Sequence, residues 1–143
     1  MSEIKANPIP QGKYVPSTRF GNIIVTAGMT PRKNGQLIQT GRVEKDAPLE
    51  NYQDAVRQAA ENALTAAYHK LLAGEHIECV MSMTVYINAE DGFTAHAKLA
   101  DFASDYLNEV LGDASPMARV SVGVATLPGN APVEIQLMCG VGQ

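Results

Sequence analysis

Apolar residues recur at two different periods along the 143-residue chain, and the period marks the elements. Tyr52, Val56, Ala59, Ala63, Ala67 and Leu71 fall at helical spacing, with Ala60 and Leu64 widening the stripe. Much of that stripe is alanine, which lets a helix lie close against a sheet. Gly74 is the expected stop. A second helix is expected over 94–111, carrying Ala97, Ala100, Ala103, Leu107 and Val110. Strands are expected at 14–15, 23–27, 36–39, 79–87, 118–126 and 133–138, with turns at Gly21-Asn22 and from Pro31 to Gly35. In the last strand Val133, Ile135 and Leu137 share one side, and Glu134, Gln136 and Met138 the other. The order β-β-β-α-β-α-β-β predicts an α+β fold, a mixed sheet with both helices packed on one face. The opposite face then needs cover, most simply from another copy of the chain.

The chain is 45% hydrophobic and 18% charged, a globular composition sized for one domain over residues 1–143. Net charge is −4 and no basic run appears, which argues against a nucleic-acid surface. No stretch is apolar enough for a membrane span, and the N-terminus lacks an apolar leader. A cytoplasmic protein is therefore expected. Cys79 and Cys139 sit among apolar neighbours and read as inert core thiols. His69, His76 and His96 show no metal-ligand spacing with them, and His96 is expected to cap the second helix or face water.

Two charges interrupt apolar strands. Arg119 alternates with Ser121 and Gly123 on the side of its strand opposite Val120, Val122 and Val124. A guanidinium beside small residues suits a carboxylate partner, and equally suits a structural ion pair. Glu134 follows the rigid 127–132 turn; it either solvates an edge strand or orients a water. If the last two strands formed a simple hairpin, Arg119 and Glu134 would stand roughly 20 Å apart, too far for one small substrate. Either the strands are not so paired, or a neighbouring subunit supplies one of the two. Tyr14 offers a hydroxyl, Gly28 permits positive φ or close backbone approach, and Ser121 is a possible hydroxyl ligand without a base beside it.

The run Ala118-Arg119-Val120-Ser121-Val122-Gly123-Val124-Ala125-Thr126-Leu127-Pro128, followed by Ala131-Pro132-Val133-Glu134-Ile135, resembles the C-terminal signature of the Rid (YjgF-type) family. Gly12-Lys13-Tyr14-Val15, Phe20-Gly21-Asn22 and Ile24-Val25-Thr26-Ala27-Gly28 resemble its N-terminal motifs. The resemblance spans nearly the whole chain and implies a homotrimer of chorismate-mutase-like subunits with ligand clefts between chains. It implies cofactor-independent hydrolytic deamination of 2-aminoacrylate-type enamine or imine intermediates to 2-keto acids and ammonia. Arg119 would bind the carboxylate of the imino or keto acid and Glu134 would help place the water. Tyr14 and Gly28 would line the cleft, and Ser121 stands where many members carry cysteine. Met29 replaces a frequent glutamine, the asparagine of the second helix has no match, and residues 91–117 resemble a divergent branch. The alternative is a non-catalytic protein that binds keto acids or other metabolites in the same clefts.

Overall fold

Alternation along the C-terminal strand builds the centre of the sheet. Val133, Ile135, Leu137, Cys139 and Val141 are all buried, while the residues between them face the other way. The computed structural model describes residues 4–112 and 117–143; Met1, Ser2, Glu3 and Pro116 lie outside them. The elements are β1 (Ser17–Phe20), β2 (Ile23–Thr26), β3 (Arg32–Lys33), β4 (Gln36–Leu37), α1 (Gln53–Tyr68), β5 (His76–Asn88), α2 (His96–Leu111), β6 (Ala118–Val124) and β7 (Val133–Gly142). Five strands form one sheet in the order β1-β2-β7-β5-β6, with only β5 and β6 parallel. Both helices pack on one face, giving the expected α+β fold.

The alanine stripe works as its composition predicts. Ala55, Ala59, Ala60, Ala63, Ala66 and Ala67 are fully buried where α1 crosses the sheet. Small side chains there allow close approach, and Ser17 Oγ donates to the Ala66 carbonyl at 2.7 Å across the layer.

Three expectations change. Residues 14–15 form no strand; the first one is Ser17–Phe20, a polar segment whose Ser17 and Arg19 reach the helix layer by hydrogen bonds. The 36–39 strand shrinks to Gln36–Leu37, paired with Arg32–Lys33 in a separate two-stranded ribbon. Asn34 and Gly35, both at positive φ, turn that ribbon as the Asn-Gly pair of a tight hairpin does. Helix α1 ends at Tyr68, before Gly74, whose φ of 83° serves the following turn. Of the two alternatives left open for the last strands, the first holds, and they are not simply paired: β5 lies between β6 and β7 and pairs with both.

Candidate active site

The segment leaving β2 runs beside β7 and creates the site. Met29 N donates to the Ile135 carbonyl at 2.8 Å, and Ile135 N donates back to the Met29 carbonyl at 2.9 Å. Gln136 Nε2 donates to the Thr26 carbonyl at 3.0 Å, while Thr26 Oγ1 accepts from Leu137 N at 3.0 Å. This stitching lays Gly28 against the side chain of Glu134. A Cβ built on Gly28 would fall 2.5 Å from Glu134 Oε2. Gly28 has no positive φ, so its value here is close approach, one of the two roles expected for it.

Glu134, Gly28 and Tyr14 meet in an open cleft of about 700 Å³, lined also by Val25, Thr26 and Pro128. The Gln11 backbone N–H donates to the Tyr14 hydroxyl oxygen at 3.0 Å, which leaves the phenolic hydrogen available to a ligand. Glu134 is half-buried, and loss of solvent raises the pKa of its carboxyl above the ordinary carboxylate value. No side chain among the described residues donates to that carboxylate, and no cation lines the cleft. A desolvated carboxylate of this kind is a better proton acceptor than one in water.

Arg119 and Ser121 lie elsewhere. Register places Arg119 level with Met83 and Ser121 level with Val85, on the helix-facing side of the sheet. Glu134 pairs with Tyr86 and points to the opposite side, so the two charges occupy different faces of one chain. Arg119 Nη1 donates to Asp101 Oδ1 and to Ser104 Oγ, both at 2.8 Å, and Nη2 donates to the Ala97 carbonyl at 3.1 Å. The ion-pair reading of Arg119 therefore describes this conformation. Those bonds use three of the five N–H groups of a guanidinium, and Nε with one Nη2 hydrogen remain. His96 opens α2 half-buried; its ring meets Phe93 edge-on at 5.0 Å, and its Nε2 lies 3.0 Å from where a Cβ on Gly123 would sit. Asp101 and Ser104, which orient the guanidinium, were not anticipated, because nothing local to α2 announces what crosses above it. Thr26 and Pro128 enter the sequence only as members of the two motifs; their place in the cleft depends on which strands meet across the sheet.

The exposed side of β6 continues the open sheet face. Val120 and Val122 are 52% and 37% exposed, and Met81, Met138 and Ile23 extend an apolar surface around them.

A family model described as Endoribonuclease L-PSP matches residues 4–141. The chain belongs to that family, which is the YjgF/Rid family. Its solved L-PSP-like neighbours include an Agrobacterium tumefaciens protein of unknown function, 31% identical, at a TM-score of 0.81 over 91% of this chain and 82% of that one. A Shewanella oneidensis protein named as an endoribonuclease is 25% identical, with a TM-score of 0.86 over 96% and 91%. The Escherichia coli YjgF gene product, 22% identical with a TM-score of 0.68 over 98% of each chain, shares the fold. Among the described residues of this L-PSP family member, no helix is long and apolar enough to cross a membrane. No cluster of three or more metal-ligating side chains occurs among them either.

Proposed function

We propose that this protein hydrolyses imines of 2-amino acids, 2-aminoacrylate-type intermediates among them, to 2-keto acids and ammonia. The observation that carries this reading is the Glu134 carboxylate, desolvated, clamped against Gly28 and free of donors within an open cleft. Water adds its oxygen to the imine carbon while Glu134 takes the proton the water gives up. That proton passes to nitrogen to give a carbinolamine; the proton of the new hydroxyl then moves to nitrogen as well, the C–N bond breaks, and ammonia leaves as the carbonyl forms. No electron transfer occurs, so the step requires no redox cofactor.

Arg119 supplies the carboxylate anchor in this proposal, through its remaining Nε and Nη2 hydrogens, with Ser121 beside it. Because Arg119 and Glu134 sit on opposite faces of one sheet, the complete site takes Arg119 from one chain and Tyr14, Gly28 and Glu134 from the next. The exposed valines of β6 and the apolar open face support such an assembly, which we propose to be a homotrimer. An endoribonuclease reading suits the family description and the Shewanella name, but the net charge of −4 and the absence of a basic run do not favour a phosphate backbone.

The test follows keto-acid release from imines generated in situ by an amino-acid oxidase. Faster release with the protein than without it supports the reading. Equal rates across several side chains overturn it, and tight keto-acid binding without turnover would identify a metabolite-binding protein instead. Sedimentation equilibrium tests the trimer separately.

A further inference from the structure

A second cavity, about 560 Å³, lies beneath the N-terminal segment between the β3–β4 ribbon and α1. Tyr14 and Gly28 line both this cavity and the Glu134 cleft, so the two spaces are neighbours with those residues in both walls. Its walls are fixed by backbone-directed bonds: Asn62 Nδ2 donates to the carbonyls of Thr30 at 3.0 Å and Arg32 at 2.8 Å. Three cations line it against one carboxylate. Lys5 pairs with Glu61, which is that carboxylate. Arg32 and Lys33 have no acidic partner among the described residues. Arg32 spends Nη1 on the Gly35 carbonyl at 3.1 Å, and its buried Nε has no hydrogen-bond partner. Its Nη2 lies 3.4 Å from the position of a Cβ on Gly129, the neighbour of Pro128 in the wall of the first cleft.

We infer that this cavity is the side-chain subsite of the Glu134 cleft, and that Arg32 and Lys33 select ligands carrying a second, distal carboxylate. The inference rests on the imine-hydrolase reading for which end of the ligand reacts. The reacting carbon sits beside Glu134, the side chain passes Gly28 and Tyr14, and its terminal anion meets the two unmatched cations. Arg32 Nη2 and the Lys33 ammonium, which no hydrogen bond or ion pair among the described residues uses, can recognise a carboxylate by charge-assisted hydrogen bonds, which a neutral chain end of equal length cannot form. A three-carbon substrate would leave this second space to water.

Isothermal titration calorimetry with α-ketoglutarate and α-ketovalerate, which share a carbon chain and differ in the terminal carboxylate, tests the inference on the full-length protein. The expected result is tighter binding of the diacid by about tenfold, abolished in the Arg32→Met/Lys33→Met double variant. Lys33→Met alone, at an exposed position, should remove part of the preference and guards against misfolding of the double variant. Equal affinities, binding of neither acid, or a preference that survives both substitutions overturns the inference. The imine assay separates the two ideas. Neutral imines hydrolysed without any diacid preference would sink the subsite alone. A diacid preference with no imine turned over would sink the hydrolase reading and leave the subsite standing.

Discussion

Replacing Gly28 by alanine isolates the contact that fixes Glu134. The added Cβ would stand 2.5 Å from Oε2, 2.9 Å from Cδ and 3.1 Å from Cγ, where ordinary contact begins at 3.4 Å. The carboxylate must therefore retreat by about 1 Å or turn to another rotamer. Leaving its rotamer costs about 0.5–1.5 kcal/mol. Gly28 has no positive φ, so alanine adds no backbone strain and stabilises by about 0.4–1 kcal/mol through the unfolded chain. These effects nearly cancel, and the melting temperature should move by no more than about 4 °C. Catalysis tolerates less: a shift of about 1 Å in a reacting group costs on the order of a hundredfold in rate. The expected variant is folded and slow. Keto-acid release from oxidase-generated imines measures the rate, and differential scanning fluorimetry measures the fold. In a Glu134→Ala background the clash is gone, so Gly28→Ala should there raise the melting temperature. Wild-type turnover by the single variant would refute the claim that the Gly28 surface sets the position of a catalytic carboxylate.

Arg119→Ala should lower imine turnover by about ten- to hundredfold, the worth of a charge-assisted carboxylate contact. Asp101 is 61% exposed, so the lost ion pair removes at most about 1 kcal/mol of stability, and a melting curve should show the disproportion. Glu134→Gln should abolish turnover yet raise stability at neutral pH. Burial raises the folded-state pKa of Glu134, so ionisation weakens the fold as pH rises out of the ordinary carboxylate range. Melting temperatures of the two proteins should converge in acid and separate toward neutrality; a constant gap would contradict that origin. Arg19 holds Glu75 down to about 2 through bonds of 2.6 and 2.8 Å. Its stabilisation is full above the ordinary carboxylate range and lost as pH falls toward about 2, so Glu75→Gln should flatten the acid limb of urea midpoints over that window.

Much of the site was legible because strand alternation is local. The sequence separates Arg119, Ser121 and Gly123 from the valines of β6, and Glu134 from Val133 and Ile135, and the structure keeps every one of these partitions. Alternation does not say which set meets the helices. In β6 the polar set does: Arg119 bonds to α2, and Val120 and Val122 face outward, the reverse of a hydrophobic-in rule. An edge strand escapes that rule because α2 can satisfy its polar side while its apolar side awaits a partner. The first strand was misplaced for a related reason. Ser17–Phe20 looks polar, with Phe20 92% exposed, and it earns its place through hydrogen bonds to residues about fifty positions away.

The sequence by itself determined the periods, hence two helices, the face of each strand residue relative to its neighbours, and the alanine-paved contact under α1. These depend on residues a few positions apart. The tertiary structure alone decided that β5 separates β6 from β7, that Met29 pairs with Ile135, and that Gly28 therefore presses on Glu134. It also decided that Arg119 and Glu134 lie on opposite faces. Those facts depend on which strand edges meet across the chain, and backbone hydrogen bonds between strands are the same for any sequence that fits the register.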